Sequence, residues 1–274
     1  MKVYISFDIE GVSGITDSND IDVNSPNFAK ARALSTRDVN AAIEGALAGG
    51  ATDIVIYDGH GWDRRNLLYE DIHPKAKIVK SRLSTEWFNM AGFDKSFGAV
   101  FFVGWHARPS SPGVLSHCYN SRVFIEWRVN GTPVGEPEFS AALAGHYDVP
   151  LVLFTGDDRS CDEVKAWNPR CECVVTKYAL DRFSAICLSR ETTYELIREG
   201  ASRALKRKDE IEPFRFKMPV QIEADVLFDH TARTISLIPG VELVSARTIA
   251  FQSKDYLEVF RALQAITILS IAAE

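Results

Sequence analysis

Four short apolar runs limit the fold of this chain more than any other feature. They occupy residues 3–8, 53–57, 99–103 and 151–154 and consist mainly of Val, Ile, Leu, Phe and Tyr. Continuous runs of this kind are typical of strands that are buried on both faces of a parallel sheet. We therefore predict that all four are strands of such a sheet.

Helical patterns lie between these runs. Residues 28–47 have apolar side chains at helical spacing and end at Gly49 and Gly50, which is a helix stop signal. Further helical patterns cover residues 139–145, 162–167 and 191–205, the last with Ser189 as a predicted N-cap. Alternation of strands and helices predicts the α/β class, with a mostly parallel sheet flanked by helices.

The last part of the chain has a different texture. After Pro213, two strand-like segments at 220–228 and 241–251 precede a closing helix at 253–273. A chain of 274 residues is longer than a usual domain of about 100–150 residues. We therefore predict an α/β metal-binding catalytic domain at residues 1–212 and a smaller α+β unit at residues 213–274.

Charge and hydropathy exclude two classes of partner. The formal net charge is -6 and the pI about 5.6, whereas a nucleic-acid partner would require clustered Lys and Arg. The apolar stretches at residues 3–8 and 262–273 are too short for a signal-peptide core and for a membrane span. We expect no nucleic-acid partner and no membrane segment.

The number and spacing of the cysteines indicate the cellular compartment of the protein. The five residues Cys118, Cys161, Cys171, Cys173 and Cys187 form an odd, unpatterned set without the paired spacing of a structural zinc site. In a chain without an export signal, such a set indicates reduced, mostly buried thiols. We therefore expect a cytoplasmic protein.

Polar side chains follow the apolar runs at the positions where a sheet of this class binds ligands, the carboxyl ends of its strands. Asp8 and Glu10 follow the first run, His60 the second and His106 the third, and Glu136 follows a predicted hairpin with a turn at Asn130–Gly131. Asp8 and Glu10 are two residues apart, so in extended backbone their carboxylates share a face and repel. A divalent cation would remove that repulsion.

A loop rich in Pro and Gly joins His106 to His117 and places a histidine at each of its ends. Signatures of serine hydrolases, zincins, P-loop proteins and dinucleotide enzymes are absent from the sequence. His117 and Cys118 are adjacent, but neighbours in extended backbone point in opposite directions, so adjacency alone does not activate the thiol. We expect Asp157 and Asp158 to cap the next helix rather than bind a metal.

Together these segments resemble the D-aminopeptidase family of zinc peptidases, which is encoded with bacterial dipeptide-transport operons. The matching segments are Ser6–Gly11, Asp58-x-His60, Gly104-x-His106-Ala-Arg, Ser111–Val114, Ser116–His117, Pro133–Glu136, Tyr147–Pro150, Gly156–Arg159 and Phe251-Gln-x-Lys-Asp255. They are distributed over essentially the whole chain. The resemblance implies a two-part α/β protomer that assembles into a closed ring around an internal chamber.

The resemblance also implies a role for each site residue. Asp8 would bridge two zinc ions per subunit, with Glu10 and His60 completing one site and His106 and Glu136 the other. His117 would be the catalytic histidine, and the substrate would be a short peptide with an N-terminal D-residue.

The charges agree with that assignment, because three carboxylates against two Zn²⁺ leave one positive charge for a hydroxide. Dinuclear sites also hydrolyse phosphoesters, and a metal-dependent peptide or amino-acid binder without turnover is a third alternative. Only Arg108 lies near the ligands in the sequence as a phosphate clamp, and a binder has no need of His117.

Overall fold

A mostly parallel sheet forms the centre of the protein, which a computed structural model describes over residues 1–82 and 86–273. In chain order the strands are β1 (Lys2–Phe7), β2 (Asp53–Asp58), β3 (Ala76–Val79), β4 (Ala99–Val103), β5 (Phe124–Val129), β6 (Thr132–Pro133), β7 (Leu151–Asp157), β8 (Glu172–Asp181), β9 (Ser184–Cys187), β10 (Val220–Val226), β11 (Glu242–Ser245) and β12 (Thr248–Ser253). The helices are α1 (Ser18–Ile21), α2 (Phe28–Ala48), α3 (Glu136–His146), α4 (Asp158–Trp167), α5 (Arg190–Lys206), α6 (Asp229–Ile235) and α7 (Tyr256–Ile271).

The first sheet has the order β3-β2-β1-β4-β7-β8-β9, and every pair in it is parallel except the edge hairpin β8-β9. The four apolar runs are its strands β1, β2, β4 and β7, which confirms the predicted α/β class. Strands β3, β8 and β9 were not predicted. The hairpin β8-β9 lies at an edge with mixed buried and exposed positions, so it has no continuous apolar run.

Side chains of the first sheet pack into two separate cores. In β4, Phe101 and Val103 belong to the core that α2 and α5 cover, whereas Val100 and Phe102 belong to the core on the opposite face. That second core also contains Trp127 of β5 and apolar residues of α3 and α7. Burial on both faces explains why these strands are uniformly apolar.

A second sheet has the order β11-β12-β10-β5-β6 and is antiparallel throughout. Its strands β5 and β6 come from before residue 213, and β5 pairs with β10 from after it. The hairpin turn at Asn130 and Gly131 is present as predicted, with φ angles of 50° and 80°. Glu274, the last residue of the predicted C-terminal unit, lies outside the described residues.

One strand prediction is wrong in its extent. The segment 241–251 forms the two strands β11 and β12 rather than one, because a tight turn interrupts it. The Ser245 hydroxyl donates to Thr248 Oγ1 at 2.8 Å and accepts from the Arg247 amide at 3.3 Å, so local side-chain hydrogen bonds stabilise the turn.

The helix signals are confirmed at their termini. Ser189 caps α5 by accepting from the Thr192 amide, and Asp157 caps α4 by accepting from the Ser160 amide at 2.7 Å. The predicted capping by Asp158 is wrong, because its carboxylate accepts from the Ala179 amide of β8 instead. None of the described helices has the length and hydropathy that crossing a membrane would require.

The backbones after β1 and β4 approach each other very closely. The Gly11 amide donates to the Gly104 carbonyl at 2.7 Å, and the Asp8 amide donates to the Val103 carbonyl at 2.9 Å. A Cβ on Gly104 would lie 2.2 Å from the Asp8 carbonyl oxygen, and Gly104 has a φ of +77°. Only glycine satisfies both the contact and the conformation at that position.

We expect Gly104→Ala to lower the free energy of unfolding by more than about 3 kcal/mol, since it combines left-handed backbone strain with a backbone clash. Gly131→Ala is the matched control, because Gly131 has a φ of +80° and nothing within 4 Å of its Cβ position. The control should lose only about 1 kcal/mol. Denaturant unfolding measures both, and equal losses would contradict the close approach at Gly104.

Candidate metal centre

Three neighbouring strands deliver candidate ligands to one edge of the first sheet. The order β2-β1-β4 and the registers Phe7 to Asp58 and Phe7 to Val103 place the carboxyl ends of these strands side by side. Asp8, His60 and His106 follow those ends directly or within a few residues. Glu136 is the first residue of α3. The five residues that the sequence predicts as ligands therefore meet in space.

The first cluster contains Asp8, Glu10 and His60. His60 Nδ1 lies 3.1 Å from Asp8 Oδ1 and 3.2 Å from Glu10 Oε2. The three residues offer ligand atoms that all lie within 4.8 Å of one another. Their arrangement has the size of a site for one metal ion.

A second cluster lies on the other side of the Asp8 carboxylate. His106 Nε2 lies 3.5 Å from Asp8 Oδ2 and 3.3 Å from Glu136 Oε1. His106, His117 and Glu136 form the second group with ligand atoms within 4.8 Å. Because Asp8 presents one oxygen to His60 and the other to His106, its geometry fits a carboxylate shared by two ions.

His117 lies within the same site. Its ring stacks on that of His106 with centroids 4.0 Å apart and planes at 18°, so the loop 107–116 folds back and brings its two end histidines together. His117 Nδ1 is 2.8 Å from the Leu115 carbonyl, and Nε2 is 3.8 Å from Glu10 Oε1. His117 is therefore close enough to the carboxylates either to bind an ion with them or to exchange a proton with a molecule bound there.

The donor set fits a metal. Asp8, Glu10 and Glu136 are all more than nine-tenths buried, and three carboxylates in such a volume repel unless positive charge lies among them. Glu10 Oε2 and His106 Nε2 are buried and make no hydrogen bond of good geometry with any described residue. His106 Nδ1 lies 2.9 Å from the Ala107 carbonyl, which orients Nε2 towards the carboxylates.

Electrostatics within the cluster are strong. Burial, together with the Glu10 carboxylate, raises the pKa of Asp8 to about 7. Burial also opposes ionisation of Glu10 and Glu136, but the neighbouring histidines hold the pKa of both carboxyl groups below the usual value. Burial alone would lower the pKa of His60 and of His106, yet the carboxylates raise each to about 10. Without metal, protonated imidazoles thus act as the counter-charges.

His117 differs from the other two histidines. Burial, reinforced by the charge of His106, lowers the pKa of His117 to about 4. Its imidazole is therefore neutral near pH 7. A proton on Nδ1, donated to the Leu115 carbonyl, leaves the Nε2 lone pair directed at the site.

Sequence reasoning missed the residues that hold these ligands in place. Asn89 Nδ2 donates to Glu136 Oε2 at 2.8 Å, and the Tyr119 amide donates to Glu136 Oε1 at 2.6 Å. Asn89 lies in a short 3-10 helix, Phe88–Met90, that carries no sequence signal. Asp58 accepts from Asn66, whose side chain also donates to the His60 carbonyl at 2.8 Å. The Asp58-x-His60 pattern could have indicated that support.

Lys177 supports the loop that carries Glu10. It is fully buried on β8, and its ammonium donates to the carbonyls of Glu10, Val12 and Ile15. Its neighbour Thr176 donates to the Gly11 carbonyl at 2.5 Å. A lysine in an apolar strand was a sequence signal that could have been used, because a buried ammonium needs several acceptors.

An open cavity of about 540 Å³ lies directly against both clusters. Its wall includes Asp8, Glu10, His60, His117 and Glu136, together with Trp62, Arg64, Phe88, Asn89, Tyr119, Arg182 and Phe183. The volume is in the range of small-molecule sites. A small substrate in this cavity can therefore contact five candidate site residues, which are Asp8, Glu10, His60, His117 and Glu136.

Comparison with known proteins agrees with this geometry. A family model described as D-aminopeptidase matches residues 1–265. A D-aminopeptidase from Bacillus subtilis (strain 168) is 33% identical over 275 residues, covering 99% of this chain and 98% of the relative. The solved structure of DppA from Bacillus subtilis, described as a Zn-dependent D-aminopeptidase and a self-compartmentalizing protease, superposes with a TM-score of 0.94 at 32% identity, over 99% and 98% of the two chains. The chain belongs to the D-aminopeptidase family.

Proposed function

We propose that this protein is a zinc aminopeptidase that removes the N-terminal residue, with preference for a D-residue, from short peptides. The observation that carries the proposal is the convergence of three buried carboxylates and three histidines on one open cavity. The relatives, whose names specify zinc and D-aminopeptidase activity, match almost the full length of the chain. That full-length match favours the peptidase over a phosphoester hydrolase or a binder.

The proposed centre holds two zinc ions per chain. Asp8 would be a ligand of both ions, with Glu10 and His60 completing one site and His106 and Glu136 the other. Carboxylate and imidazole ligands suit Zn²⁺, and three carboxylates nearly balance two divalent ions. When bound, the ions would lower the pKa of a water molecule and polarise the scissile carbonyl.

His117 is proposed as the catalytic histidine rather than a ligand. Its neutral imidazole, held by Leu115, can accept a proton at Nε2 and later transfer it to the leaving amine. Nδ1 is held by the Leu115 carbonyl, so Nε2 is the nitrogen left to exchange a proton with a peptide in the adjoining cavity. Stacking on His106 holds the ring in that orientation.

We also propose that the chain forms a closed homo-oligomeric ring. DppA is described as self-compartmentalizing. In this chain, Tyr178, Leu180 and Ile186 of the edge hairpin are 47%, 66% and 59% exposed and share one face, since Tyr178 pairs with Ile186. An exposed apolar face of this kind marks an interaction surface.

Light scattering should give a multiple of the 30.5 kDa chain mass, and a persistent monomer at micromolar concentration would argue against the ring.

Two further assignments stand as proposals. We assign the catalytic part to residues 1–212, because every proposed site residue precedes residue 212. Residues 213–274 are assigned to a smaller α+β unit, whose sheet is completed by β5 and β6 of the first part. We place the protein in the cytoplasm, because its cysteines are unpaired and a reducing compartment keeps them so. Fractionation of producing cells tests the location.

The activity is tested with purified protein and added zinc against matched D- and L-aminoacyl amides and dipeptides, with phosphomonoesters and phosphodiesters as controls. We expect turnover of the peptides and amides, faster for the D-series, and its loss on chelation with recovery on zinc addition. Turnover confined to phosphoesters would refute the peptidase. Zinc-dependent peptide binding without any turnover would establish the binder instead.

A further inference from the structure

Arg64 is a buried cation in the wall of the cavity that adjoins the metal centre. Only 4% of the Arg64 surface is exposed, although arginine is rarely buried without a paired charge. Its φ of 47° lies in the left-handed region, which is uncommon for a residue other than glycine. A strained backbone that holds a buried charge beside a site is a reason to look for a function.

The guanidinium of Arg64 is only partly satisfied. Nη2 donates to Asn89 Oδ1 at 3.3 Å, and the guanidinium lies 5.6 Å from the ring centroids of Tyr57 and Phe88. Nε is buried and has no hydrogen-bond partner in the part of the chain that the structure describes. The described residues also give Arg64 no ion pair with a carboxylate.

Such an environment suits an anionic ligand. A desolvated cation is costly unless an anion pairs with it, and an amide oxygen and two ring faces compensate only in part. The planar fork of arginine matches a carboxylate with two parallel hydrogen bonds. The other arginines in the cavity wall, Arg122 and Arg182, are exposed, so solvent already screens their charge.

Asn89 fixes the distance between Arg64 and the metal centre. The same side chain accepts from Arg64 through Oδ1 and donates to Glu136 through Nδ2 at 2.8 Å. Arg64 is thus one side chain removed from a proposed ligand. Since each residue of an extended peptide spans about 3.3–3.6 Å, a scissile bond at the metal centre brings the C-terminus of a two- or three-residue peptide near Arg64.

We propose that Arg64 binds the C-terminal α-carboxylate of the substrate and thereby selects short free-acid peptides over their C-terminal amides. The proposal rests on the proposed peptidase function and adds a specificity residue to it. Arg64 supplies the positive counter-charge for the incoming carboxylate. The zinc-loaded centre is nearly neutral and does not supply that charge. The resulting pair limits the length of peptide that fits between the two points of attachment.

The experiment compares kcat/KM for D-alanyl-glycine and for its C-terminal amide in zinc-loaded enzyme. The wild type should prefer the free acid by about 10- to 100-fold, as expected for loss of a buried charge-assisted hydrogen-bond pair. Arg64→Met should reduce that ratio to near 1, mainly by raising KM for the acid. Arg64→Lys, which keeps the charge without the fork, should give an intermediate ratio and serves if the Met variant does not fold.

Arg65→Met is the matched control, because it removes the same charge from the adjacent, exposed residue and should leave the preference at the wild-type value. A wild type that shows no preference, or an Arg64→Met variant that retains it, overturns the proposal. Equal losses on both substrates, or loss of bound zinc, would make Arg64 a positioning residue for Asn89 and Glu136 and also overturn it. A wild type inactive on both substrates would refute the peptidase itself.

Discussion

Repulsion among Asp8, Glu10 and Glu136 is the constraint on which the site depends. The three carboxylates are buried around shared histidines, with Asp8 and Glu10 against His60 and with Asp8 and Glu136 against His106, and neutral side chains alone would not stabilise them there. In the metal-free chain, His60 and His106 act as counter-charges, which accounts for their raised pKa values. In the proposed centre, two divalent cations would take the place of those protons, so the repulsion among the carboxylates would be the source of metal affinity.

Backbone contacts of the fold hold the repelling carboxylates close together. Parallel strands align the carboxyl ends of β1, β2 and β4, and the close approach of Gly11 and Gly104 brings the segments that carry Asp8 and His106 into contact. The Lys177 ammonium donates to the carbonyls of Glu10, Val12 and Ile15 and so holds the loop that carries Glu10. Repelling side chains are thus positioned by hydrogen bonds and glycine contacts that do not involve them. The proposed specificity residue, Arg64, is linked to the same network through Asn89.

The sequence predicted the elements with regular patterns, and it singled out the candidate ligands that follow them. The apolar runs identify β1, β2, β4 and β7 because burial on both faces leaves a composition signal, and strand ends then identify Asp8, His60 and His106. Glu136 was singled out because it follows the predicted hairpin, and His117 because it ends a loop that begins at a histidine. The roles assigned to both came from the family resemblance. Asn89, Lys177 and Arg64 were missed because their importance arises from contacts between residues 25 to 167 positions apart in the chain. The hairpin β8-β9 was missed because an edge strand has no uniform burial.

Zinc content and turnover, measured together in two histidine variants, test the central claim most directly. His106→Ala should lower bound zinc and activity together, because His106 is assigned as a ligand. His117→Ala should keep both ions by elemental analysis and yet lose about 10²–10⁴ in kcat, the usual contribution of a positioned acid-base group. If His117→Ala instead lost an ion, or kept near-normal kcat with zinc bound, the division between ligand and catalytic histidine would be wrong.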